Sequence, residues 1–246
     1  MRLLGEAVSL SGLVYGGLFQ KSIHVIPPFY DSLSDKDKQL YYCLCGIDAH
    51  TNTPTAMVFM LIDRDNNCYV DRCSVSQADT DETKHNWWRI VIGNKYRMGY
   101  SVCDKSADST NIALSRVAQR ELNIFKELQR HTCDANGRIM INGIKSLIKS
   151  EKYEGSINAG IDELKKRLKE PERLFIIDRP ENKELIRAFM TMERDRYKDE
   201  SKGLKDRIKE GMWHLHSALR FIFQFSVRYV PLNETLPQPY REESYV

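Results

Sequence analysis

Asp48 lies at the end of the short apolar segment YYCLCGIDAH, and Asp104 holds the equivalent place in GYSVCDKSAD, 56 residues later. Two such carboxylates meet only if their strands sit side by side in one sheet and end at the same edge. Brought together, they offer the oxygen donors that hard divalent cations take, an arrangement that holds metal beside a phosphodiester. A lone aspartate at a strand end is as readily a turn or helix cap. The pair, with a hairpin and a helix between its members, is what points to chemistry.

The elements that must position them follow from the apolar patterning. Tyr41 to Ala49 reads as a strand, Thr55 to Ile62 (TAMVFMLI) as a second, and the polar turn Asp63 to Asn67 leads into a third, CYVDRCSV, as in a hairpin. Glu82 to Ile92 reads as a helix carrying Trp87 and Trp88, and Met98 to Cys103 as a fourth strand. A helix is expected over Ser109 to Arg130, capped by Asp108 or Ser109. In Ser156 to Lys169, Ile157, Ile161, Leu164 and Leu168 recur at helical spacing and leave Lys165, Lys166 and Arg167 toward solvent. Arg173 to Ile177 (RLFII) reads as a fifth strand, Lys183 to Tyr197 as a helix, and roughly Leu204 to Phe223 as a last helix. The domain expectation is an arm or linker over 1–35, an α/β domain over 36–225, and a flexible, Pro-containing tail over 226–246.

Composition excludes some classes and leaves others. A length of 246 residues suits one domain with extensions. The 37 basic and 34 acidic residues nearly cancel, so net charge argues neither for nor against a local basic groove. No apolar run approaches the roughly 20 residues of a membrane span, and no signal-peptide pattern opens the chain, so a soluble intracellular protein is expected. Five of the six cysteines fall in or beside expected strands, where free thiols behave as small hydrophobes. Their spacing is not that of a zinc site.

The order strand, strand, strand, helix, strand, helix, strand, helix is that of the ribonuclease H-like fold, a mixed five-stranded sheet flanked by helices. Segments along most of the chain make the resemblance specific: RLLGEAVSLSGLVY leading to HVIPPF, then GIDAHTNTPTA, SVCDKSAD, KYEGSINAGIDELKKRL, RLFIIDRPENKELIRAF and HLHSALRF. In that order and spacing they resemble the C-terminal nuclease domain of a tailed-bacteriophage terminase large subunit, the DNA-packaging protein that also cuts the DNA concatemer. The family's ATPase half, with its GxxxxGK[ST] loop, has no counterpart in this sequence. The resemblance implies a metal-dependent endonuclease acting on double-stranded DNA in the host cell cytoplasm. Its implied partners are a terminase ATPase domain, the small terminase subunit and the portal, with no membrane.

The same resemblance assigns roles. Asp48 becomes the bridging ligand of a two-metal Mg2+ or Mn2+ site, the ions about 4 Å apart, and Asp104 holds its second side. His214 keeps the histidine of a motif like HxxDALRY, whereas Ser217 stands where that motif has the third carboxylate. A neutral hydroxyl is a poorer ligand for Mg2+. Glu210, four residues before His214 and seven before Ser217, would share their stripe on one helix, so it, or a water on Ser217, is expected to replace the missing ligand in part. The alternative is a site weakened by Ser217.

DNA contact is expected mainly to the backbone, through Lys105 and Lys152 and through Lys165 and Lys166, with Lys145, Lys149, Arg167 and Lys169 as further candidates. Six acidic residues lie between Ile141 and Arg173, so a solvated face is an equal reading for any one lysine. Asp71 and Glu82 are weaker metal candidates, Glu82 also suiting a helix dipole. Adjacent Trp87 and Trp88 more often cover a core and its rim than stack on bases. Two rival functions remain: a catalytically silent DNA-binding or motor-docking module, and a cellular resolvase of the same fold.

Overall fold

The structure, a computed structural model, describes residues 12–49, 53–77, 79–104, 123–151, 155–169, 174–196, 204–209, 213–225 and 227–234. Its elements are α1 (Lys21–His24), β1 (Val25–Ile26), α2 (Asp35–Lys38), β2 (Tyr42–Asp48), β3 (Thr55–Ile62), β4 (Cys68–Ser76), α3 (Thr80–Asn94) and β5 (Met98–Cys103), followed by α4 (Ile124–Gln129), β6 (Thr132–Cys133), β7 (Ile139–Ile141), β8 (Leu147–Lys149), α5 (Ser156–Lys169), β9 (Leu174–Ile177), α6 (Lys183–Thr191), β10 (Arg194–Arg196), β11 (Leu204–Ile208) and α7 (His214–Ile222).

A mixed sheet of seven strands, ordered β1-β9-β4-β3-β2-β5-β8, forms the centre. The five expected strands are its middle, and the short β1 and β8 extend its two edges. β2, β3 and β4 run antiparallel in sequence, while β5 is parallel to β2 and β9 is parallel to β4. Every residue of β2 and β3 is buried, which is why YCLCGID and TAMVFMLI read as unbroken apolar runs rather than as alternating ones. One face, with Leu44, Val58, Met60 and Val102, is covered by Ile161 and Leu164 of α5, Leu185 and Phe189 of α6, and Leu215 and Leu219 of α7. The other, with Cys43, Ile47, Met57 and Phe59, is covered by Trp87 and Val91 of α3 and Phe125 and Leu128 of α4.

Local chemistry sets the joints. In the β3–β4 turn Asp63 Oδ1 accepts from the peptide N–H groups of Asp65 and Asn67, each at 2.9 Å, and Asn66 takes the left-handed conformation the turn needs. Asp79 caps α3 by accepting from the N–H groups of Asp81 and Glu82, and Lys95 ends it with φ of 58°. Trp87 donates to Ser101 Oγ inside the core at 3.2 Å, while Trp88 donates to the Asn142 carbonyl at 2.9 Å on the rim.

Several expectations are corrected. The described part of the expected arm is packed: Val14 and Tyr15 are buried, the Val14 N–H donates to the Met192 carbonyl at 2.8 Å, and β1 pairs in parallel with β9. At the other end Val227 and Val230 are buried, and Arg97 donates to the Val230 carbonyl at 2.6 Å. The helix expected to reach Tyr197 stops at Thr191, and Arg194–Arg196 pairs with Leu204–Ile208 as an antiparallel ribbon. The last helix therefore begins at His214 rather than near Leu204. Of the helix expected over Ser109 to Arg130, the structure describes only Ile124–Gln129. No helix among the described residues is long and apolar enough to cross a membrane.

Candidate metal centre

β2 and β5 are parallel neighbours with Ile47 opposite Cys103, and the peptide N–H of Asp104 donates to the Ile47 carbonyl at 3.1 Å. The ladder thus runs one residue past β5 and sets Asp48 beside Asp104. Ile47 and Cys103 point into the core on the α3 side, so strand alternation turns both aspartates to the face covered by α7. Both are buried, at 3% and 8% exposure.

α7 lands on that face at Gly46. A β-carbon on Gly46 would lie 1.9 Å from the Ala218 carbonyl oxygen, so helix backbone rests on strand backbone where only glycine leaves room. This close approach brings the first residue of the helix over the end of β2, where His214 Nδ1–H donates to Asp48 Oδ2 at 2.9 Å. An ionised carboxylate can only accept, which assigns the proton to Nδ1. Ser217 follows one turn later, half-buried on the same side of the helix.

Arg220 belongs to this centre although its role was not read from the sequence. It is buried, and its stem crosses Gly160 of α5, where a β-carbon would sit 2.4 Å from Arg220 Cγ. Burial lowers its pKa, and the charges of Asp104 and Asp48 oppose that shift, so the guanidinium is the counter-charge of the carboxylate pair. The available signal was its spacing, three residues beyond Ser217 on one helix. His216 takes a different position: its Nε2 shares a hydrogen bond with the Tyr15 hydroxyl at 2.5 Å, and burial, then Arg220, pull its pKa down to about 3. The His216 ring is therefore neutral. Burial pushes the Tyr15 hydroxyl far above its usual range.

The remaining candidates scatter. Asp71 is fully buried on β4, held by Arg179 Nε at 3.1 Å and Nη2 at 3.0 Å and by the Tyr96 hydroxyl. Burial raises its pKa against the Tyr96 hydrogen bond and the Arg179 charge, and its carboxylate is committed to that ion pair rather than to the Asp48 side. Glu82 sits in the first turn of α3, behind the Asp79 cap. Glu210, Lys105, Lys152 and Asp108 lie outside the described residues. Lys165 is 3.8 Å from Asp162, and Lys166 is exposed. Next to them Arg167 donates to the carbonyls of Asn66 and Val227, which fixes that end of α5 near the β3–β4 turn. Because Tyr42 pairs with Ile62 and Asp48 with Ala56, this turn is at the sheet edge opposite Asp48. The structure does not bring Lys165 and Lys166 to the aspartates. Lys145 lies over the Trp88 ring and Lys149 over the Phe125 ring.

Two adjacent buried carboxylates match a hard divalent cation in donor type. They supply part of a ligand set: among the described residues no three His, Cys, Asp or Glu side chains are grouped to hold a metal ion. Ser217 adds a neutral hydroxyl where the resemblance implies a carboxylate.

No protein-family profile matches the sequence, and no curated protein does. Solved structures match by fold. The nuclease domain of the P22 large terminase aligns with a TM-score of 0.56 at 16% identity, over 87% of this chain and 92% of that one. The nuclease domain of the large terminase from bacteriophage SPP1, a crystal structure with bound Mn, aligns with a TM-score of 0.52 at 17% identity, over 81% of this chain and 94% of that one. The large terminase of a thermophilic bacteriophage aligns with a TM-score of 0.53 at 19% identity over 86% of this chain, which spans 44% of that longer protein. This chain, a mixed sheet flanked by helices, has the ribonuclease H-like fold of bacteriophage large-terminase nuclease domains.

Proposed function

We propose that this chain is a divalent-metal-dependent endonuclease of the genome-packaging type, cutting concatemeric double-stranded DNA with little sequence preference. The observation that carries the reading is Asp48 beside Asp104 at one sheet edge, with His214 bonded to Asp48. The fold shared with terminase nuclease domains supports it, as does the Mn bound in the SPP1 neighbour. Asp48 and Asp104 are the residues that would hold Mg2+ or Mn2+, with Glu210 a further candidate. When bound, such ions neutralise charge on the phosphodiester and its leaving oxygen and activate water, in the two-metal manner. His214 holds the Asp48 carboxylate in one orientation, the role a hydrogen-bond partner plays for a ligating group. Arg220 lowers the cost of keeping two carboxylates side by side when no cation is present. Ser217 can donate to or accept from a water at the open side of the pair. A terminase ATPase domain, the small terminase subunit and the portal are the partners this reading entails, in the host cell cytoplasm.

A second reading rests on Ser217. With no carboxylate there, the chain would be a weakened enzyme serving as a DNA-binding or motor-docking module. Plasmid cleavage with Mn2+ or Mg2+, run on this chain beside Asp48→Ala and Ser217→Asp, separates the two. Cleavage abolished by Asp48→Ala establishes the nuclease with serine in place. Cleavage that appears only in Ser217→Asp supports the weakened module, and none in any variant removes the nuclease reading.

A further inference from the structure

A second group of cations, apart from those of α5, gathers beside the end of β9. β9 is parallel to β4, β4 and β2 are both antiparallel to β3, and β5 is parallel to β2. β9, β2 and β5 therefore run in one direction, and Ile176 of β9 is level with Leu44 of β2 through Val70 and Met60, so β9 ends about three residues short of Asp48. Asp178 directly follows β9, and its peptide N–H donates to the Ile26 carbonyl of β1 at 2.8 Å. Beside it opens a cavity of about 250 Å3 lined by Lys21 of α1, by Asp178, and by Lys183, Ile186, Arg187, Met190 and Thr191 of α6. Residues 183, 186, 187 and 190 form one helical stripe. Lys21, Lys183 and Arg187 are exposed and, among the described residues, make no ion pair or side-chain hydrogen bond. Three cations against the single carboxylate of Asp178 leave the pocket positive. Ile186 and Met190 give it an apolar wall.

Three strand spacings of about 4.8 Å separate β9 from β2, and β9 ends about three residues, about 10 Å, short of Asp48 along the strands, which together put its end roughly 17 Å from Asp48. Duplex DNA rises about 3.4 Å per base pair, so that span is about five base pairs. We propose that Lys21, Lys183 and Arg187 form an anchoring site for the phosphate backbone of double-stranded DNA, gripping it about five base pairs from the phosphate presented to Asp48 and Asp104. Met190, half exposed, faces the sugar between phosphates. The proposal rests on the nuclease reading and adds to it the site that positions the substrate. An acidic protein segment has the same charge sign, but a span of about five base pairs to the aspartates favours DNA.

The test measures binding of a short random-sequence duplex to the whole chain without divalent metal, between about 50 and 200 mM salt. The variants are Lys21→Ala, Lys183→Ala and Arg187→Ala, singly and combined, with exposed Arg64→Ala at the opposite edge as a charge-matched control. Each single change should reduce the slope of log affinity against log salt by about one, and the combined variant should bind at least about tenfold more weakly at the low-salt end. Arg64→Ala should bind as the parent chain does. If the parent chain binds duplex and the combined variant binds equally well with the same slope, the pocket is overturned and the nuclease reading stands. If the parent chain does not bind duplex at all, both fall. If the combined variant keeps DNA binding but loses binding to a poly-glutamate probe, the pocket docks acidic protein and the proposal is overturned.

Discussion

Gly46 and Ala218 touch backbone to backbone: a β-carbon on the first would stand 1.9 Å from the carbonyl oxygen of the second. The helix bearing His214 and Ser217 is thereby seated on the strand bearing Asp48. Gly46→Ala must lift α7 off β2, at a cost of about 1–3 kcal/mol or more. For a chain of this size that is about 2–4 °C of melting temperature per kcal/mol. A thermal melt that matches the parent chain would show that the helix is not seated this way.

His214 acts on Asp48 through one hydrogen bond. Removing such a partner from a ligating carboxylate costs about 10–100-fold in metal affinity or activity. His214→Ala should lose that much Mn2+ affinity by calorimetric titration while keeping its fold by circular dichroism. Unchanged affinity would take His214 out of the centre.

The neutral, buried His216 makes stability depend on pH. Its pKa is about 3 when folded against 6.5 as the ordinary value. The folded value is the lower one, so the stabilisation is present above about pH 6.5 and is lost as pH falls toward 3, at about 1.4 kcal/mol per pH unit at most. His216→Gln should flatten the acid side of a stability curve measured by urea unfolding. A parent curve already flat between pH 6.5 and 4 would contradict the buried neutral ring.

Asp71 and Arg179 form a buried pair, so removing one partner is worse than removing both. Arg179→Met should cost about 3–5 kcal/mol, and adding Asp71→Asn should recover much of it. Denaturant midpoints for the three variants check this; a double variant as unstable as the single would mean that shape, not charge, holds the site.

The sheet was largely legible. Thr55–Ile62 and Met98–Cys103 carry the same bounds in sequence and structure, because apolar runs end at polar turns and buried strands need no other signal. Ser156–Lys169 was legible from Ile161, Leu164 and Leu168, although Ile157 is half exposed. The stretch from Leu204 was misread because Leu204, Ile208 and Met212 are at helical spacing. Pairing with Arg194–Arg196 overrides that local pattern. The described helix starts at His214, and Glu210 lies outside the described residues. Asp48 and Asp104 were visible because strand ends in a known order share an edge. Tyr15 and His216, 201 residues apart, leave no trace in spacing. Charge runs mark exposed faces but not cavities, which is why Lys165 and Lys166 drew attention ahead of Lys183 and Arg187.

Asp48 and His214 are separated by 166 residues of chain, and that interval is also a time. At synthesis rates of about 5–20 residues per second, roughly 8–30 s pass between making the strand and making the helix that covers it. The aspartates can be paired as soon as β5 has emerged, but the histidine that orients Asp48 and the arginine that balances the pair arrive only with the last helix. A ribosome-bound chain therefore carries an incomplete centre until α7 has been made, and the nuclease proposed here would switch on only then.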